Sequence, residues 1–132
     1  MSKEAGEDVK INFNDVVPIY IQIADAIEDD ILTGHLGAGE NCYSQIQLAK
    51  ELNINPATAA KGIRVLVERG VLEKVRGQAM VVREDAVEII RQRKLEQELS
   101  EMVENLVREA QKLDISEEVL IKKISQVYWK KE

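Results

Sequence analysis

The sequence is poor in the residues that most catalytic and metal sites need. Its single cysteine, Cys42, cannot form an internal disulfide, and its single histidine, His35, excludes a His/Cys metal cluster and a typical Ser-His-Asp triad. The phosphate-binding patterns GxGxxG and GxxxxGK(S/T) are absent. We therefore expect no catalytic residues, no metal and no cofactor. Cys42 itself is expected to be a small apolar core residue, with a redox-sensing thiol as the alternative.

Long apolar runs are also missing. No stretch approaches the roughly 20 apolar residues that a membrane-spanning helix needs, and the polar, acidic residues 1–10 do not resemble a secretory signal. Hydrophobic residues still make up 45% of the chain, which is enough to build a core. We expect a cytoplasmic protein with no membrane partner, built from one small domain and an appended helical element.

Acidic residues outnumber basic ones, 24 to 18, but the two kinds are unevenly distributed. Residues 1–40 carry a net charge of −7 and residues 84–132 a net charge of −3. Residues 41–83 contain seven Lys and Arg against three Asp and Glu, a net charge of +4. The total charge alone argues against a nucleic-acid partner, whereas the basic middle segment is suited to phosphate contacts.

An amphipathic helix is predicted between Pro18 and Gly34. Isoleucines recur at every fourth position from Ile19 to Ile31 and form one apolar stripe. Pro18 suits the first helical turn and Gly34 the position just after the helix end. Residues 35–41 are predicted to form a loop. Four acidic residues lie mostly outside the stripe: Asp25, Glu28, Asp29 and Asp30.

Two short helices separated by about three residues are predicted next. Ser44 opens a capping box of the form Ser-x-x-Gln, for a helix that ends near residues 53–55. Asn55 as the N-cap and Pro56 at the first helical position predict a second helix, which stops at Gly70. This arrangement is typical of a helix-turn-helix.

A β-hairpin is predicted after the second of these helices. Residues 71–75 and 80–83 are β-prone, and the tip between them carries Arg76. A helix, a helix-turn-helix and a hairpin in this order predict a winged helix-turn-helix. The expected fold class is mainly α with a small β-hairpin, comprising this N-terminal domain and a C-terminal two-helix dimerisation element.

Three parts are predicted along the chain. Residues 1–15 are expected to form a flexible N-terminal arm, with Phe13 as a candidate anchor. Residues 16–83 are expected to form the winged helix-turn-helix DNA-binding domain, and residues 84–132 a helical dimerisation region.

The C-terminal region has an apolar stripe and too little chain around it to bury it. One helix is expected over residues 86–112, and Ser116 is expected to cap another. A second copy would cover the stripe, so we predict a two-fold homodimer; the alternative is that the long helix folds back on its own domain. The expected interface residues are Leu95, Leu99, Met102, Leu106, Leu120, Ile124 and Tyr128.

The helix that begins after Asn55 is the candidate recognition helix. Thr58, Lys61 and Arg64 are one turn apart on one face, where such helices meet bases and phosphates; the alternative is an ordinary solvated face. Ser44 is either a cap alone or a cap that also holds a phosphate, and Arg76 either enters the minor groove or is a solvated turn residue. The expected DNA contacts are Ser44, Gln45, Asn55, Ala57, Thr58, Lys61, Arg64, Arg76, Gly77 and Gln78.

Several segments between Pro18 and Val82 resemble GntR-family bacterial transcription regulators of the short, YtrA-like type. No single motif is decisive, but their order and spacing make the set fairly specific. The matching segments are PIYIQIA (18–24), ILTG (31–34), LA (48–49), NPAT (55–58), LVERG (66–70) and RGQ (76–78).

This resemblance implies a dimeric DNA-binding regulator, usually a repressor, often encoded beside ABC-transporter or membrane-protein genes. It also implies that Ser44, Thr58, Lys61 and residues 76–78 face DNA. The family usually has a DNA-contacting arginine where this chain has Ile46. Other departures are Ala59 in place of valine, Gly62 in place of alanine and Ala79 in place of glycine; close packing of the first helix is the simplest explanation for Gly62.

The sequence supports two functional hypotheses from different classes. The first is a sequence-specific DNA-binding regulator, expected to be a dimeric repressor of a transporter or membrane-protein operon that binds double-stranded DNA at a pseudo-palindromic operator. The second is a protein-interaction adaptor that kept the winged-helix fold and lost specific DNA binding, which Ile46 and the acidic first helix motivate. An enzyme is a distant third, since no nucleophile–base pair is visible.

Overall fold

The computed structural model describes residues 10–130, which contain six α-helices and one two-stranded antiparallel sheet. The predicted fold class is confirmed. Of the predicted N-terminal arm, residues 1–9 lie outside the described part of the chain. The elements are α1 (Ile19–Leu32), α2 (Gln45–Leu52), α3 (Pro56–Glu68), β1 (Leu72–Lys74), β2 (Met80–Val82), α4 (Ala86–Arg93), a π-helical segment (Lys94–Leu99), α5 (Ser100–Lys112) and α6 (Glu117–Tyr128).

Capping side chains set the helix starts close to where the sequence predicts them. Ser44 Oγ accepts from the backbone N–H of Gln47 at 3.0 Å, and Asn55 Oδ1 accepts from the N–H of Ala57 at 2.8 Å. Pro18 precedes α1 with an extended backbone (φ −55°, ψ 144°), so the helix starts one residue later than predicted. Gly34, at φ +85°, follows the end of α1 as expected.

The side-chain amide of Gln22 binds the segment before α1 to that helix. Gln22 donates from Nε2 to the carbonyls of Asn12 and Val17, both at 2.9 Å, and its Oε1 accepts from the N–H of Asn12 at 2.8 Å. Phe13 is exposed, so it does not act as an anchor into the core of its own chain.

Helix α1 packs closely against α3 at Gly62. A Cβ at this position would lie 3.0 Å from both the carbonyl oxygen of Tyr20 and Cγ2 of Ile23. Glycine therefore permits an approach that alanine would resist, in spite of a helix-propensity cost of about 1 kcal/mol. The expectation of close packing is confirmed. The core beneath these helices includes Ile23, Ile27, Leu36, Leu48, Leu66, Leu72 and Ile90.

The predicted loop over residues 35–41 is irregular only in part, because its end pairs with the hairpin. Gly39 N–H donates to Val82 O at 2.8 Å, Val82 N–H donates to Glu40 O at 2.9 Å, and Cys42 N–H donates to Met80 O at 2.8 Å. This backbone pairing covers one edge of β2 and attaches the wing to the start of α2.

Two acidic residues of α1 are buried, although the sequence places them mostly outside the apolar stripe. Glu28 is fully buried, and its Oε1 accepts from Nη1 of Arg69 at 3.0 Å; the same nitrogen donates to Asp25 Oδ1 at 3.0 Å. Asp30 is also buried, and Tyr43 Oη donates to its Oδ2 at 2.6 Å. These charge-assisted hydrogen bonds link α1 to the end of α3 and to the residue before Ser44.

The chain divides into two compact units, and the boundary along the sequence lies between Gln92 and Arg93. In the first unit, Ala86 and Ile90 of α4 belong to the core of the winged domain. The single helix predicted over residues 86–112 is interrupted, because residues 94–99 are π-helical. In the second unit Ser116 Oγ accepts from Val119 N–H at 3.3 Å and caps α6 as expected. Within residues 10–130, no helix combines the length and apolar character that crossing a membrane requires.

Candidate nucleic-acid interface

All ten predicted DNA-contacting residues lie at the surface of the first unit, with Thr58 half-buried and the others exposed. The structure brings part of this set together in an open groove between α3 and the hairpin, which we call the α3–wing groove. Its volume is about 410 Å³, and its lining residues are Tyr43, Ser44, Gln45, Ala60, Ile63, Arg64, Val67, Lys74, Ala79 and Met80.

The α3–wing groove joins three elements that are separate in sequence. Ser44 and Gln45 come from the start of α2, Arg64 from α3 and Lys74 from the end of β1. Sequence reasoning did not select Lys74. Its basic side chain at an exposed position of the predicted hairpin was the available signal. Lys74 Nζ donates to the carbonyl of Gln78 at 2.7 Å, which keeps its charge beside the hairpin tip.

A second groove lies on the other side of α3, and we call it the α1–α3 groove. It is lined by Tyr20, Ile21, Lys61, Arg64, Val65, Glu68 and Arg69. The Lys61 ammonium lies over the ring of Tyr20, 4.1 Å from the ring centroid. Arg64 lines both grooves, so it occupies the outward ridge of α3 between them.

The remaining predicted residues line neither groove. Asn55, Ala57 and the half-buried Thr58 stand at the start of α3, where the Asn55 side-chain oxygen is engaged in capping. Arg76, Gly77 and Gln78 form the exposed hairpin tip, and Gly77 has φ +79°, a conformation that favours glycine. The tip is therefore shaped as a turn that projects Arg76 toward solvent.

The chemistry of Ser44 is compatible with capping and phosphate binding at once. Its oxygen accepts a hydrogen bond from within α2, which leaves the hydroxyl proton available for an outside acceptor. The first N–H groups of an α-helix point out of its N-terminus, which is the geometry that anion-binding helix starts use. Next to them, Ile46 is 72% exposed and supplies neither a charge nor a hydrogen bond.

The seven basic residues between 41 and 83 divide into two groups. Arg69 is paired with Asp25 and Glu28. Arg83 donates to Asp85, and this contact raises the pKa of Arg83 and lowers that of Asp85 from their ordinary values. The other five basic residues between 41 and 83 are exposed: Lys50, Lys61, Arg64, Lys74 and Arg76.

The described part of the chain contains no cluster of metal ligands, and its one thiol is buried. Among residues 10–130, no three His, Cys, Asp or Glu side chains are grouped as metal ligands. Burial raises the pKa of the Cys42 thiol to about 12, so the thiol is protonated at neutral pH. Cys42 is thus the apolar core residue that the sequence predicts, and its burial disfavours the redox-sensing alternative.

Comparison with known proteins identifies the fold. The family model described as bacterial regulatory proteins, gntR family, matches residues 19–82. A solved GntR family transcriptional regulator from Listeria monocytogenes is 34% identical, with a TM-score of 0.69, over 86% of this chain and 98% of that chain.

Two curated relatives match slightly more than half of this chain. The mannosyl-D-glycerate transport/metabolism system repressor MngR of Escherichia coli is 34% identical over 70 residues, which are 53% of this chain and 29% of the relative. The HTH-type transcriptional repressor YtrA of Bacillus subtilis is 30% identical over 78 residues, 59% of this chain and 60% of the relative. The chain thus spans less than a third of the length of MngR.

These matches agree with the winged-helix geometry of the first unit and confirm the resemblance seen in the sequence. The family consists of transcription regulators rather than enzymes. The chain therefore belongs to the GntR family of bacterial regulatory proteins.

Proposed function

We propose that the protein is a homodimeric repressor that binds a pseudo-palindromic operator and controls a transporter or membrane-protein operon. The α3–wing groove is the observation that supports operator binding, because it gathers Ser44, Arg64 and Lys74 on one exposed face. Repression and a transport-related operon are supported by two relatives: MngR is a repressor of a transport and metabolism system, and YtrA is a transcriptional repressor.

In the proposed complex, α3 lies in the major groove. Ala57 is small, so the start of the helix can approach base edges closely. Thr58 then contacts bases, and Lys61 and Arg64 contact phosphates along the same face. Ser44 binds a phosphate at the start of α2, and Arg76 enters the adjacent minor groove.

The proposed dimer is supported by the apolar surface of the second unit. A cleft between α5 and α6 is lined by Leu106, Leu120, Lys123, Ile124, Val127 and Tyr128, with almost no polar surface. Leu95, Leu99 and Met102 are also exposed. A second copy is the occupant that covers such a surface while presenting two winged domains to two half-sites.

Removing the Lys61 charge is expected to weaken operator binding and to lower the slope of log affinity against log salt by about 1 for each half-site, about 2 on the full operator, because each protomer loses one phosphate contact. Operator fragments are first selected from the host genome with the purified chain. The affinity of Lys61→Ala for the selected fragment is then measured at four or more salt concentrations.

Lys122→Ala is the matched control, since it removes the same charge from exposed α6. It should keep the wild-type slope. An unchanged slope in Lys61→Ala would contradict the phosphate contact. If the wild-type chain binds no genomic fragment even at low salt, the proposed repressor function is wrong and the protein-interaction adaptor is the better hypothesis.

Ile46→Arg is expected to raise operator affinity about fivefold or more and to increase the salt slope by about 1 for each half-site, about 2 on the full operator. The substitution places a cation beside Ser44, and the 72% exposure of Ile46 means that little packing is lost. Titration of the selected operator across a salt series measures both quantities. Ile46→Gln serves as the uncharged control; equal slopes for the arginine and glutamine variants would show that position 46 does not approach DNA.

A further inference from the structure

The contact between Lys61 and Tyr20 follows from the way α1 meets α3. Gly62 lets the backbone of α1 approach α3 at Tyr20 and Ile23, where a Cβ would be only 3.0 Å from each. The residue before Gly62 is Lys61, and its ammonium lies 4.1 Å from the centroid of the Tyr20 ring. The close helix packing thus sets the aromatic ring beneath a cation that the proposed function assigns to DNA.

The two partners differ in burial. Tyr20 is half-buried, and its backbone lies where α1 approaches α3 most closely, so its ring has less freedom than an exposed side chain. Lys61 is exposed, and a lysine side chain loses rotamer freedom when it meets a fixed phosphate. A cation–π contact restricts the ammonium before DNA arrives and does not neutralise it, because the ring carries no net charge. An acidic partner would restrict the same group but would oppose phosphate binding.

We infer that Tyr20 is a positioning residue for DNA binding, whose ring holds the Lys61 ammonium on the face of α3 where it meets a backbone phosphate. The inference rests on the proposed phosphate contact of Lys61. Tyr20 itself touches no DNA in this arrangement. Its contribution is to lower the conformational cost of a contact that another residue makes.

The test compares Tyr20→Leu with Tyr20→Phe in the full chain on the operator fragment selected from the genome. Tyr20→Phe keeps the ring and should bind within about twofold of wild type. Tyr20→Leu should weaken binding about three- to fivefold for each half-site, hence about 10- to 25-fold on the full operator, because the Lys61 side chain of each protomer loses its preorganisation. In a Lys61→Ala background, Tyr20→Leu should cause no further loss.

An NMR measurement on the free protein gives a second readout that requires no DNA. The ε-methylene protons of Lys61 should be shifted upfield by the ring in wild type and in Tyr20→Phe, and should return to ordinary positions in Tyr20→Met. Methionine fills apolar volume flexibly, so this variant covers the case in which Tyr20→Leu folds poorly.

The inference is overturned if Tyr20→Leu weakens binding equally with and without Lys61, since that result assigns the ring a purely structural role. It is also overturned if Tyr20→Phe binds as weakly as Tyr20→Leu, or if the lysine protons show no ring-dependent shift. None of these outcomes contradicts the proposed repressor function. Failure of the wild-type chain to bind any genomic fragment instead overturns the proposed function, and the role in DNA binding with it.

Discussion

Ile124→Glu is expected to convert the proposed dimer into a monomer and to weaken operator binding by about a hundredfold or more. Ile124 is 45% exposed and lines the apolar cleft between α5 and α6. Covered by a second copy, a carboxylate there would be buried without a partner, which is far more costly than exposing it to water.

The loss of DNA affinity follows from the linkage between the two winged domains. Once one domain is bound, the second meets its half-site at a high effective concentration, which strengthens binding by about 10²- to 10⁴-fold over a single domain. A monomer loses this gain although its α3–wing groove is unchanged. The residual binding should therefore retain about half of the wild-type salt slope, because half of the phosphate contacts remain.

Sedimentation velocity gives the oligomeric state, and titration of full operators and isolated half-sites gives the two affinities. Ser125→Glu adds the same charge to the next residue of α6, which does not line the cleft. This control should remain dimeric. Dimers of Ile124→Glu with wild-type affinity would show that another surface joins the copies, whereas monomeric wild-type protein would refute the proposed dimer itself.

Much of the winged domain could be predicted because its signals are local. The isoleucine repeat of α1, the Ser44 cap and the Asn55–Pro56 start each involve residues a few positions apart. Such neighbours interact in the same way in any protein that forms these helices. The resemblance to known regulators depended on the same short segments, so the family and its expected DNA-facing residues were accessible without a structure.

The residues that sequence reasoning missed have partners far along the chain. Glu28 is buried because Arg69 approaches it from 41 positions away, and Asp30 because Tyr43 approaches it from 13 positions away. Lys74 joins the α3–wing groove only after the hairpin has closed against the start of α2. A periodic pattern identifies the face of a helix, but it contains no information about which distant side chain will neutralise a charge there.

A buried carboxylate with a distant cation makes Arg69 a residue whose loss should clearly lower the stability of the first unit. Arg69→Met is expected to lower the free energy of unfolding by about 2–3 kcal/mol. Breaking a fully buried ion pair costs about 3–5 kcal/mol. The effect here should be smaller, because the Arg69 side chain is 23% exposed although that of Glu28 is fully buried. Urea unfolding at neutral pH, followed by circular dichroism, measures the change.

The double variant Arg69→Met with Glu28→Gln separates the ion pair from ordinary packing. A neutral amide needs no counter-charge, so this variant should recover more than half of the lost stability. Asp25→Asn should cost less than about 1 kcal/mol, because the Asp25 side chain is 44% exposed.

The single variant Arg69→Met also distinguishes the role of Arg69 from that of Arg64, the arginine within α3. Arg64 lines both grooves on the outward ridge of α3, whereas the guanidinium of Arg69 is turned toward the acids of α1. Below its unfolding temperature, Arg69→Met should therefore keep the wild-type salt slope, and Arg64→Met should lose about 1 from it for each half-site, about 2 on the full operator. A reduced slope with full stability in Arg69→Met would instead mean that Arg69 leaves its carboxylates to bind DNA.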